Sequence, residues 1–293
     1  MTVHVPRSAT GHAIAGAKLP ASIEITPRQV NDTASLDMLF PKGTLVYIPD
    51  VGTDSTRAFT DAARRIGDAG YVAVPHFAAR RLTTRAAFDD RIKALSEEAG
   101  VKQALVIGGG LEQPVGEFGS SLELLETGMF DRCGFEWIAI AGHPEGTPDF
   151  SDSMAEEALL LKQAFAQRSG TQMRIVTQFG FDPMKAVTWA DGLSACGVNL
   201  PVHIGIAGPA KLPTLVKYAV MCGVGNSIDF LKKQAGAVSS LLTGPSPELV
   251  VEPIERHVAS NPQCPIEQLH IFPFGGLKKS SAWLVERGSW HHS

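Results

Sequence analysis

The sequence predicts an α/β chain folded as a single (β/α)8 TIM barrel, and three observations carry that reading. From about Ala21 onward, short apolar runs alternate with longer amphipathic stretches, the pattern of repeated βα units around a parallel sheet. Eight such runs fit within 293 residues, an ordinary size for this fold. No G-x-G-x-x-G follows the first run, which argues against an open dinucleotide-binding sheet. Residues 1–20 read as a polar, unpatterned leader and residues 21–293 as the barrel.

In order, the strands are expected at Ser22 to Thr26, Thr44 to Ile48, Tyr71 to Val74, Gln103 to Ile107, Trp137 to Ala141, Arg174 to Phe179, Val202 to Ile206 and Leu269 to Phe272. The clearest helices are Ser55 to Ala69 and Thr84 to Ala99, each opened by a capping hydroxyl and closed by glycine. Further helical patterns cover Ser121 to Arg132, Asp152 to Gln167, Pro183 to Ala195, Leu212 to Met221, Phe230 to Leu242 and Pro247 to Ser260.

A net charge of −4 with scattered Lys and Arg leaves no footprint for nucleic acid or an anionic membrane. No apolar stretch approaches the roughly 18 residues of a membrane span, and Met1 starts no signal-like segment, so a soluble, cytoplasmic protein is expected. Cys133, Cys196, Cys222 and Cys264 lie far apart without C-x-x-C spacing, which points to buried thiols. Composition leaves the choice between monomer and homo-oligomer open.

In a barrel of this kind the chemistry sits where strands end and βα loops begin. Glu24 is a carboxylate amid apolar strand residues, so it is either ion-paired or pushed toward a general-acid role by desolvation. Gln178 interrupts a strongly apolar strand, and leaving its amide unpartnered would cost about 1 to 3 kcal/mol; either backbone or a ligand must bond to it. The glycines at 108, 109 and 110 bare a strand end, as a plain turn or as a surface for a flat or phosphorylated ligand. Two prolines stiffen the loop from Gly142 to Pro148, which serves as a preorganised contact or a rigid connector. His76, His143, His203 and His270 come singly from different strands, lacking the short-spaced pairs that make metal motifs specific; no metal site is assigned.

Taken in order, these strand ends resemble the methylenetetrahydrofolate reductase family. The resemblance runs from about Ser22 to Trp283. Its most specific pieces are IAGHPEGTP ending at Pro148, IVTQFGFD ending at Asp182, and Glu24 after Ser22; the segments around His76, His203 and His270 are weaker. It implies a flavin-binding barrel that interconverts 5,10-methylene- and 5-methyltetrahydrofolate, with FAD passing hydride from its N5 to the methylene carbon. Carried over position by position, Glu24 is the acid that assists opening of the folate imidazolidine ring to the 5-iminium cation. Gln178 and Phe179 contact the folate. Ile48, His76, Val106, Ile107, Gly108, Gly109, Gly110, Gly142, His143, Thr147 and Lys162 line the cofactor. The electron donor, NAD(P)H or another reductant, is not legible.

Two departures stand out. The family's fourth strand normally ends in Arg-Gly-Asp, whereas this chain has glycine at 108 to 110, so the charge beside the flavin changes and a raised potential is expected. Where the family carries a segment like Leu-Lys-Arg-Lys for the cofactor phosphates, only Lys162 remains, with Arg168 the next candidate. The length also leads to the expectation that no regulatory domain follows. Two other classes stay open: a folate- or flavin-binding barrel dependent on a partner protein, and a metal-dependent lyase or hydrolase using the strand-end histidines.

Overall fold

The computed structural model describes residues 18–147, 149–224 and 244–291. Eight parallel strands close into a barrel in chain order, with β1 completing the circle against β8. They are β1 (Ala21–Glu24), β2 (Leu45–Ile48), β3 (Val72–Ala78), β4 (Gln103–Ile107), β5 (Trp137–Gly142), β6 (Gln172–Gly180), β7 (Val202–Ala207) and β8 (Ile266–Phe272). Every predicted strand is present. β3 runs four residues past its predicted end because Pro75, though it removes one ladder donor, fits an extended backbone; His76 is therefore inside the strand.

The helices are α1 (Pro27–Asp32), α2 (Thr56–Asp68), α3 (Arg85–Ala99), α4 (Ser121–Glu126), α5 (Met129–Arg132), α6 (Asp152–Ser169), α7 (Pro183–Ala195), α8 (Leu212–Met221), α9 (Glu248–Ser260) and α10 (Leu277–Glu286). The caps expected from sequence form: the Ser55 hydroxyl accepts from the Ala58 N–H, and Thr84 from Ala87. The single helix expected from Ser121 to Arg132 is instead two, broken where Gly128 turns left-handed at φ 67°. Two short elements went unforeseen: α1, opened by a Thr26–Gln29 capping box, and α10. The helix expected from Phe230 to Leu242 lies outside the described residues, as do residues 1–17 of the leader. Leu19 ties the chain entry to α9, its N–H donating to Glu255 Oε1 at 3.0 Å.

Alternation along each strand divides the apolar residues between two cores. Tyr47, Val74, Leu105, Ala139 and Val176, one each from β2 to β6, pack together inside the barrel. Their neighbours Val46, Ile48, Val106, Ile138 and Ile175 belong to the larger core between sheet and helices. Among the described residues no helix is long and apolar enough to cross a membrane.

The ladder slips once on β6. Val176 pairs with His203 and Phe179 with Gly205, so three steps along β6 match two along β7. This bulge lifts Thr177 and Gln178 out of plain alternation. Gly205 sits beneath it, its N–H donating to Thr177 Oγ1 at 2.8 Å. A Cβ there would come within 2.5 Å of the carbonyl oxygens of Thr177 and Gln178, so only glycine fits.

Candidate active site at the barrel mouth

Closing β1 against β8 places Ser22 beside His270, and the alternation of β1 carries Glu24 to the same interior face two residues on. Glu24 Oε1 lies 3.4 Å from His270 Nε2 and 3.5 Å from His76 Nε2, on β8 and β3 respectively. The partners of this carboxylate are thus two imidazoles. Its side chain is 15% exposed, enough to be reached from the mouth, whereas His270 is fully buried.

The network behind it assigns His270's tautomer. The Ser22 hydroxyl donates to the Leu269 carbonyl at 3.2 Å and so presents a lone pair to His270 Nδ1, 3.0 Å away. A hydrogen on His270 Nδ1 completes that contact, and Nε2 is the ring atom turned toward Glu24. Tyr47 stands edge-on to His270, with ring centroids 4.5 Å apart.

Beneath this cluster lies a feature sequence reasoning missed. Arg174, on β6, is buried inside the barrel, donating from Nε to the Tyr47 hydroxyl at 3.1 Å and from its terminal nitrogen to Gln103 Oε1 at 2.7 Å. Its guanidinium also lies over the Trp137 ring, 5.4 Å from the centroid. Burial holds His76 down at about 4, only partly countered by Glu24, and holds His203 well below the ordinary range, with the Arg174 charge adding to the effect. Both are neutral imidazoles near neutral pH.

On the neighbouring sector, Gln178 is half-buried on the β6 bulge. Its Oε1 accepts from the Phe179 N–H at 3.1 Å, and its amide nitrogen has no protein partner among the described residues. It lines a narrow cleft with Pro144, Glu145, Gly180 and Asp182, and is not brought into contact with Glu24. Glu145 crosses from the β5 loop to accept from the Phe181 and Asp182 N–H groups at 3.0 and 3.3 Å, tying that loop to the start of α7. Phe179 itself is buried in an aromatic group with Phe181, Phe272 and Phe274.

The remaining residues fall on the β2 to β6 side. The Ile48 and Val106 side chains are fully buried in the outer core, while Ile107 packs against the barrel interior. A Cβ on Gly108 or Gly110 would meet nothing within 4 Å; Gly109 is left-handed at φ 86°. Arg80, also missed from sequence, pins this loop by donating to the carbonyls of Leu111 and Gly119 at 2.8 and 3.1 Å. Gly142 is closely packed, since a Cβ would stand 2.6 Å from Ile175 and 2.8 Å from Trp189. Thr147 Oγ1 accepts from the Asp149 N–H at 3.2 Å, and His143 stands edge-on to Phe150 at 5.2 Å.

Lys162, midway along α6, is buried, and among the described residues no hydrogen bond or ion pair engages its ammonium. Burial lowers it to about 8, and burial together with the Lys162 charge lowers His143 to about 4. Arg168 does not reinforce it: in the last turn of the same helix it pairs with Glu126 at 2.7 Å on the exposed surface.

Fold and site thus define a (β/α)8 barrel whose C-terminal mouth holds a carboxylate between two imidazoles. In sequence, the chain is similar to methylenetetrahydrofolate reductase 1 of Schizosaccharomyces pombe, 28% identical over 153 residues. That match takes in 51% of this chain and 24% of the fission yeast protein, so the chain spans about a quarter of its relative's length. The likeness to the methylenetetrahydrofolate reductase family read from the strand ends therefore holds. No family model matches. Among solved structures, the barrel superposes on an uncharacterized protein from Clostridium thermocellum, whose structure is described as binding two copies of 5-methyl-5,6,7,8-tetrahydrofolic acid. The TM-score is 0.60 at 11% identity, with 93% of each chain covered, which shows the shared fold.

Proposed function

We propose that this protein interconverts 5,10-methylene- and 5-methyltetrahydrofolate by hydride transfer through bound FAD, with Glu24 as general acid. The observation that carries the reading is the contact of Glu24 with the Nε2 face of His270, in a chain whose sequence is similar to a methylenetetrahydrofolate reductase. Because Ser22 occupies Nδ1, that contact is favourable when one proton lies between Oε1 and Nε2. That contact places a carboxyl where it would pass a proton to a folate nitrogen as the ring opens. His76, held neutral by burial, faces Glu24 Oε1 from the other side at 3.5 Å without competing as a second cation.

The residues present fit a flavin. Bare backbone at Gly108 and Gly110 leaves room against β4 for a flat ring, and also for the carboxylate that the family carries there. Lys162 is a buried cation with no anion against it among the described residues, as a diphosphate-binding residue would be. When bound, FAD would supply the hydride-transfer chemistry. Lys162 would hold its phosphates and Gln178 would donate its free amide N–H groups to the pterin.

The reading is tested by adding FAD to the purified protein and recording its absorbance before and after anaerobic 5-methyltetrahydrofolate. Bleaching of the long-wavelength flavin band is expected; a flavin that binds but stays oxidised would count against the folate reaction. Gln178→Ala is expected to weaken 5-methyltetrahydrofolate binding by about 1 to 3 kcal/mol, measured calorimetrically, and unchanged affinity would remove the pterin contact.

Lys162 predicts a pH dependence. Only its protonated form attracts phosphate, and burial sets its midpoint at about 8, so FAD affinity should fall as the pH rises through that value. Lys162→Met should bind FAD more weakly at neutral pH and lose this alkaline fall. An identical pH profile in both proteins would detach Lys162 from the cofactor.

A further inference from the structure

We propose that Asp191, His257 and Cys264 form a binding site for one zinc ion on the N-terminal face of the barrel, opposite the mouth. Asp191 lies in the second half of α7, His257 in the last turn of α9, and Cys264 in the turn before β8. All three positions fall at the end of the barrel where strands begin. Among the described residues this is the group of His, Cys and carboxylate side chains whose ligand atoms converge, all within 4.8 Å of one another.

Donor chemistry selects the ion. One thiolate, one imidazole and one carboxylate suit a borderline-soft cation such as zinc, whereas magnesium and calcium prefer all-oxygen shells. Zinc bonds of about 2.0 to 2.3 Å place tetrahedral ligands roughly 3.3 to 3.8 Å apart, so small side-chain rotations would complete three corners and leave water the fourth.

Two details show how far the site is already assembled. His257 Nε2 faces Asp191 Oδ2 at 2.8 Å, so two of the three donors meet before any ion is bound. Asp191 is also oriented from behind: Asn261 Nδ2 donates to its Oδ1 at 3.1 Å, leaving Oδ2 turned to His257. Such an outer partner is what fixes a metal-binding carboxylate.

A free thiol carries its proton near neutral pH, and the thiolate is the form that binds metal. Zinc binding would form a Zn–S bond and release that proton to solvent, with no change of oxidation state. The ion would join α7, α9 and the start of β8, a clasp with no part in chemistry at the mouth.

The test is calorimetric titration of the full chain, stripped with chelator and dialysed, first with zinc and then with cobalt. One equivalent is expected, with a thiolate-to-cobalt charge-transfer band and a higher melting temperature in zinc. Cys264→Ser and Asp191→Asn should each weaken zinc binding at least about tenfold, and Cys264→Ser should abolish the band. Circular dichroism checks that both variants fold, and Asp191, being exposed, gives the milder of the two. No zinc binding, equal binding by wild type and Cys264→Ser, or equal stabilisation by magnesium would each overturn the site.

Discussion

Glu24→Gln is expected to lower folate turnover by about 10²- to 10⁴-fold while reduction of the bound flavin by its electron donor continues. The two half-reactions separate because only the folate step takes up a proton where the ring opens. Glutamine preserves shape, and its amide N–H can face the His270 Nε2 lone pair that the carboxyl faces at 3.4 Å, so the cluster keeps its packing. The loss should therefore appear without a change in melting temperature. Stopped-flow measurement of each half-reaction decides: survival of both would sink the assigned role, and loss of both with a lowered melting temperature would show a merely structural one.

Gly205→Ala should have the largest effect on stability. The new methyl would lie 2.5 Å from two carbonyl oxygens that belong to the bulged backbone of β6, and backbone in a closed barrel cannot swing aside as a side-chain tip can. Overpacking of this kind costs about 3 kcal/mol, roughly 5 to 10 °C in melting temperature for a chain of this size. Relief of the clash would also displace Gln178, so folate affinity should fall with stability. Gly108→Ala is the control, since its methyl meets nothing. Thermal melts of the two variants that coincide would show that the bulge is soft.

The fold was largely legible because each of its strands is a short apolar run with its own turn chemistry, information carried within about ten residues. Glu24 was legible for the same local reason, a charge where the strand pattern demands an apolar residue. Its partners were not: His76 and His270 reach it only through barrel closure, and no local pattern distinguishes them from His143, which sits apart against Phe150. Arg174 read simply as the polar start of a strand, because its burial depends on Tyr47 and Gln103 arriving from β2 and β4. The slip on β6 was hidden as well, being a relation between two strands. The helix from Ser121 failed at Gly128, where periodicity continues on both sides of a left-handed residue.

The pairing of β1 with β8 also has a consequence for how the protein comes to life. Glu24 and His270 are 246 residues apart, so their contact does not exist until nearly the whole chain has emerged and the circle has shut. Contacts of such long range form late, after their loop-closure entropy has been met. During refolding, helix content and much of the sheet should recover before the mouth becomes competent. Recovery of turnover is therefore expected to lag recovery of helix content, and mutations that slow closure should delay activity more than they delay structure.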